Sequence, residues 1–208
     1  MSVDGARLKA HVVKLSKDYF PRSYRNIENL DRCAGYIQAH FNKAGADTAI
    51  QEFTVRGKRY QNVIGHFGKK TGERIIVGAH YDHVGMGGMG SLAPWTRAVH
   101  NGADDNASGT AGVIELARVF STRDDLERGI VFAAFAGEEV GLQGSSYFTR
   151  NPTVPLDSTV AMLNLDMIGR LNPVNEENML SIQGVGTGAS FAEILAHHAE
   201  AAIDFEPG

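Results

Sequence analysis

The sequence predicts an α/β fold, with a mixed, largely parallel central sheet and helices on both of its faces. Three observations carry this. Apolar runs of strand length at 74–79, 130–135 and 160–165 alternate with segments at 26–43 and 108–122 that repeat apolar residues every three or four positions. That alternation is the pattern of parallel strands joined by helices. The runs are apolar on both faces, as strands covered on both sides must be. Each run also ends in groups that water or a cation must satisfy: His80-Tyr81-Asp82, Glu138-Glu139 and Asp166.

In chain order, residues 7–20 predict an amphipathic helix with Leu8, His11, Val12 and Leu15 on one side, stopped at Tyr19-Phe20-Pro21. Residues 26–43 predict a second helix with a buried stripe of Ile27, Leu30, Ala34, Ile37 and Phe41, and Gly45 as its C-cap. Cys33 lies beside that stripe as a buried structural thiol. It is the one cysteine, which excludes an internal disulfide and a thiolate metal cluster. Alternating runs at 48–55 and 60–67 flank Arg56-Gly57-Lys58 and predict an antiparallel hairpin. A central strand follows at 74–79, then a glycine-rich stretch at 84–101. Residues 108–122 form a helix with Val113, Leu116, Ala117 and Phe120 inward, capped by Asn106 or Ser108. The strand at 130–135 leads to a helical turn at 144–150 that stops near Pro152. A buried strand at 160–165, a short strand at 179–183 and a last helix at 190–202 complete the reading. No linker divides the chain, so residues 1–208 read as one domain.

The net charge of −4 gives no reason to expect a nucleic acid or an anionic membrane as partner. No apolar run approaches the ~20 residues a membrane-spanning helix needs. Met1-Ser2-Val3-Asp4-Gly5 shows no export signal, so the compartment stays open: cytoplasmic as the chain stands, exported if a leader has been removed.

Ligands in open α/β sheets gather at the carboxyl ends of strands, and neighbouring strands there lie within about 5 Å. His80, Asp82, Glu138, Glu139 and Asp166 can therefore meet the loop Asp104-Asp105-Asn106 in one cleft. Imidazole and carboxylate without thiolate suit a hydrolytic zinc site. Asp82, two residues after His80, is placed to orient its ring. The Glu138-Glu139 pair repels itself unless a cation or a shared proton holds it. The bland reading of Asp104, Asp105 and Asn106 is helix capping, and one of the three can be doing only that. Residues 85–90 match G-x-G-x-x-G, yet Ser91-Leu92-Ala93-Pro94-Trp95 follows where a phosphate site needs a helix. The stretch reads instead as a loop rimming the cleft, with Met86, Met89 and Trp95 toward substrate. No G-x-S-x-G is present.

Four motifs stand in order: Gly78-Ala79-His80-Tyr81-Asp82-His83, residues 100–109, Ala136-Gly137-Glu138-Glu139-Val140-Gly141-Leu142, and Asn164-Leu165-Asp166-Met167-Ile168-Gly169-Arg170. Together they resemble the cocatalytic-zinc aminopeptidase family, which includes bacterial leucyl aminopeptidases and has glutamate carboxypeptidases and glutaminyl cyclases as relatives. The resemblance implies a three-layer zinc-exopeptidase sandwich and two zinc ions. It implies that His80 and Asp166 bind one zinc, Glu139 binds the other and Asp105 bridges both. Glu138 becomes the general base, Asp82 orients His80, and the Asp105–Asn106 peptide is cis. His83 and His100 match no ligand position and read as loop residues. The implied reaction is hydrolysis of N-terminal residues from peptides with a free N-terminus.

One ligand of that family has no counterpart here: a His in a late Ser-Asp-His motif. His197 and His198 fall in the last helix pattern with no Asp just before them, and the chain ends at Phe205-Glu206-Pro207-Gly208. The expectation is a C-terminally incomplete domain that lacks the last strands and helix. Its second zinc is short of an imidazole, and its open sheet edge favours oligomers. The competing readings are a catalytically weak or inactive metal-binding scaffold, a carboxypeptidase using Arg97 and Arg170, and a glutaminyl cyclase using one zinc.

Overall fold

The apolar run ahead of the Glu pair becomes β4 (Gly129–Phe135), and every residue in it is buried. β4 is the middle strand of five. On one side lies β2 (Lys58–Phe67), then β1 (Asp47–Val55); on the other lies β3 (Arg74–His80), then β5 (Thr159–Asn164). β1, β2 and β4 pair antiparallel. β3 runs parallel to both β4 and β5, with His80 level with Phe135 and Gly78 level with Asn164. The sheet is mixed, and its parallel half carries the strand ends of interest. The computed structural model describes residues 1–69, 72–88, 91, 94–170, 172–174, 177–198 and 204–207.

Alternation along β4 covers both faces. Phe132 and Ala134 pack with Leu30, Ile37 and Phe41 of α2 (Ile27–Lys43) and with Val113 and Ala117 of α3 (Gly109–Phe120). Val131, Ala133 and Phe135 pack on the opposite face with Phe148 of α4 (Gln143–Arg150) and Val154. Burying one such large apolar side chain contributes about 1.5–3 kcal/mol. The helix expected at 7–20 begins earlier, as α1 (Gly5–Val13), because the Asp4 side chain accepts the N–H groups of Ala6 and Arg7. It continues as a wider π-helical stretch, Lys14–Asp18, that buries Leu15.

One strand departs from expectation. The sequence reads 160–165 as buried, but Val160 and Met162 are 47% exposed and Leu163 is 54% exposed. β5 is the outermost strand, with β3 its one neighbour in the sheet. Apolar composition on both faces does not tell an edge from a centre.

The chain forms two compact units, Met1–Met167 and Ile168–Gly208. In the second, β7 (Glu177–Ile182) pairs antiparallel with β6 (Asn172–Val174) and parallel with β8 (Asp204–Pro207). The last helix is α5 (Phe191–His198); its expected extension to 202 lies outside the described residues. Among the described residues no helix is long and apolar enough to cross a membrane.

Candidate metal centre

β3 delivers His80 to the sheet edge with 3% of its surface exposed. Its Nε2 lies 3.2 Å from Asp105 Oδ1 and 3.4 Å from Asp166 Oδ1. One donor atom from each of these residues falls within 4.8 Å of the others. Asp105 arrives on the segment Ala103–Ser108, whose entry at Gly102 is left-handed (φ 67°). A Cβ on Gly102 would stand 2.6 Å from the His83 Cβ and 2.7 Å from Arg22 Nη2. The Asp105–Asn106 peptide is cis. Asn106 then ties this segment to its surroundings: its Oδ1 accepts from Gly109 N at 2.9 Å and its Nδ2 donates to Leu165 O at 2.9 Å. The cap expected from Asn106 or Ser108 is thus supplied by Asn106. Gly109 has no room for a side chain, since a Cβ would collide with the Leu165 carbonyl next to Asp166.

Asp82 is fully buried. Its oxygens accept from Glu138 N at 3.1 Å and Glu139 N at 3.3 Å. His80 Nδ1 is 3.6 Å from Asp82 Oδ1, too long for a hydrogen bond. The carboxylate therefore holds the turn that carries the Glu pair more firmly than it holds the imidazole. That turn, Glu138–Val140, follows Gly137 in a left-handed conformation (φ 73°).

The electrostatics call for a cation. Burial raises the pKa of Glu138. Burial, then Asp105 and Asp82, push Glu139 up to about 7. Glu139 Oε1 is buried with no hydrogen-bond partner. Burial alone would lower His80, but Asp105, Asp166 and Asp82 override it and push its pKa up to about 12. Protons on His80 and Glu139 thus offset the clustered carboxylates in the metal-free protein. A divalent cation fits the same place, and one nitrogen with carboxylate oxygens is a donor set zinc accepts. His80, Asp105 and Asp166 form that set. Glu139 lies outside the trio, on the turn beside it.

Arg22 is a feature that sequence reasoning missed. It is fully buried, and its guanidinium donates to Tyr81 O (2.8 Å), Leu15 O (3.2 Å), Asn101 O (3.1 Å) and Gly102 O (2.6 Å). Its backbone N–H donates to His83 Nε2 at 3.0 Å. This fork sews the N-terminal segment, the end of β3 and the entry to Asp105 together. Its partners are backbone carbonyls, which leave no trace in residue periodicity. His83, expected as a loop residue, is fully buried, and burial and then Arg22 hold its pKa down to about 4. His83 and His100 both lie in irregular segments, as expected, and His100 donates its N–H to Gly85 O at 2.8 Å. Trp95 is 88% exposed and Met86 51% exposed; Met89 lies outside the described residues. His197 and His198 are exposed on α5 in the second unit.

A mixed α/β sheet with His80, Asp105 and Asp166 converging at the carboxyl ends of its parallel strands defines the class of α/β folds with a candidate metal centre. Within that class, the chain belongs to Peptidase family M28, whose family model matches residues 62–204. It is 38% identical over 133 residues to the uncharacterized protein YfbL of Escherichia coli K12, covering 64% of this chain and 39% of the relative. It is 29% identical over 178 residues to leucine aminopeptidase 1 of Metarhizium robertsii, covering 81% and 43%. The chain thus spans about two fifths of the length of these relatives. The fold is shared with a leucine aminopeptidase precursor from Bacteroides thetaiotaomicron (TM-score 0.80, 21% identity, 100% and 78% of the two chains). It is shared also with the Porphyromonas gingivalis glutaminyl cyclase (TM-score 0.78, 20% identity, 99% and 76%).

Proposed function

We propose that this chain is the catalytic core of a zinc aminopeptidase that removes N-terminal residues from peptides. The observation that carries the reading is the convergence of His80, Asp105 and Asp166 on one point, with two buried-edge glutamates beside it. In this reading His80, Asp105 and Asp166 would hold zinc, and Glu139, whose Oε1 has no hydrogen-bond partner, would hold a second ion together with Asp105. Bound there, zinc would supply an acidified water and Lewis-acid polarisation of the scissile carbonyl. Glu138, whose pKa burial has raised, accepts a proton and passes it to the leaving amine. Asp82 fixes Glu138 by its backbone N–H. The surplus of carboxylates favours a substrate α-ammonium.

The test is Glu138→Gln assayed on leucine 4-nitroanilide. Turnover should fall about 10²–10⁴-fold while bound zinc is unchanged. A zinc-loaded chain that cleaves no aminoacyl amide would sink the reading and leave a metal-binding scaffold. One observation favours a second reading, glutaminyl cyclisation: the trio completes a site for one ion without Glu139. Release of ammonia from a glutaminyl peptide as its N-terminus closes to a pyroglutamyl ring, with no cleavage of leucyl amides, would select it.

A further inference from the structure

A groove of about 520 Å³ lies between residues 20–26 and the loop 84–99. Phe20, Tyr24, Met86 and Val99 give it apolar walls, and Arg25 and Arg97 are its charged residues. Among the described residues no carboxylate lines it, in a chain whose net charge is −4. Arg25 is held in place: its Nε donates to Tyr24 Oη at 2.8 Å and its head lies over the Tyr24 ring at 5.3 Å. The Tyr24 carbonyl is in turn fixed by Tyr60 Oη at 2.8 Å. Among the described residues neither arginine has an ion pair. The loop that brings Arg97 is pinned by the Met86–Val99 bridge and by Gly87 N donating to Ala98 O at 2.8 Å.

The groove lies a short way along the chain from the candidate metal centre. Gly85 of its wall is three residues past Asp82, a span of at most about 11 Å. Phe20 of the opposite wall meets the buried His83 ring edge-on at 5.5 Å. An aminopeptidase holds the substrate's first residue at the metal, so the rest of the peptide extends on the leaving side. About three extended residues cover that span. We propose that this groove receives a carboxylate of the peptide on the leaving side, bound by Arg25 and Arg97, so that the enzyme prefers acidic or short peptides. The inference rests on the aminopeptidase reading.

The test uses the zinc-loaded full chain carrying Glu138→Gln, so that bound peptide is not consumed. Calorimetry compares Leu-Gly-Glu-Gly-amide, Leu-Gly-Gln-Gly as free acid, and Leu-Gly-Gln-Gly-amide. At least one acidic peptide should bind about 5- to 10-fold more tightly than the neutral amide, as two partly exposed charge pairs allow. The gain should vanish in about 0.5 M salt and in Arg25→Gln/Arg97→Gln. A gain for the glutamyl peptide alone assigns the groove to side chains, and for the free acid alone to chain ends. Equal affinity for all three, or a preference that survives Arg25→Gln/Arg97→Gln, overturns the proposal. Turnover of leucine 4-nitroanilide by the unsubstituted chain scores the aminopeptidase reading separately, since that substrate has no carboxylate and is too short for the groove.

Discussion

His80 and Arg22 are the two cations set against the carboxylates of the candidate site, and they behave differently. As a zinc ligand His80 would give up its proton; Arg22 would keep its own. With its pKa up near 12, His80 is protonated in the metal-free protein at neutral pH. Its contribution to stability is full below the unfolded value of about 6.5 and is lost as pH rises toward 12. Zinc takes only the neutral imidazole, so binding must release about one proton from His80. Titration calorimetry in buffers of different ionisation enthalpy should show that proton at pH 7.5, and zinc affinity should rise with pH. No released proton would mean that His80 is not a ligand. Arg22 sets where Asp105 stands, through Asn101 O and Gly102 O. Arg22→Met should weaken zinc about 10- to 100-fold, the range for residues that orient ligands. Arg22→Lys keeps the charge but not the fork, and should recover only part of that loss. Wild-type zinc affinity in a folded Arg22→Met protein would remove Arg22 from the site.

At the scale of elements, α1 is docked on α3 through a buried carboxylate. Glu115 accepts from Arg7 Nε at 2.7 Å and from Arg118 Nη2 at 2.7 Å and Nε at 2.9 Å. Beside it, His11 is bonded to Tyr36 Oη at 2.6 Å and packs edge-on against His40. Burial, then the His40 charge, hold His11 down to about 4. A depressed base stabilises the fold above its unfolded pKa. As pH falls from about 6.5 toward 4, the unfolded chain gains a proton that the folded chain refuses, so stability falls. Glu139, raised to about 7, works in the opposite sense as it protonates. The comparison is therefore between unsubstituted protein and His11→Phe. The variant should lose less stability between pH 7 and 4.5, by about 1–2 kcal/mol in denaturant melts. Parallel slopes would show that His11 does not titrate differently on folding. Much of this element level was legible in sequence. α2 and α3 follow their apolar stripes, and the hairpin turns at Arg56 and Gly57, both with positive φ. The metal trio was legible because three of its supports are strand ends and a loop. Arg22 was not, because its fork reaches carbonyls up to 80 residues away that any residue type would provide. Nor was the hold of Asp82 on the Glu138–Glu139 turn, because it reaches backbone N–H groups that any residue type would provide.

For the whole molecule, the strand to consider is β5, at one edge of the five. Its outer edge presents backbone donors and acceptors with no neighbouring strand in the five-stranded sheet. Val160 and Met162 share one face of it, both 47% exposed, and Leu163 stands on the other at 54%. Exposed apolar strands at an edge are templates for pairing, and soluble monomers seldom leave such surface in contact with water. The expected consequence is self-association of the 208-residue chain, with β5 of one copy against β5 of another. Sedimentation velocity should show a mass that grows with concentration. Val160→Lys with Met162→Lys should shift the chain to monomer, because a buried charge on that face costs far more than the apolar contact returns. Zinc should leave the association unchanged if the two are independent, since none of these side chains belongs to the metal trio. A chain that stays monomeric at all concentrations would show that the β5 edge is shielded in solution, and the apolar face would then need another explanation.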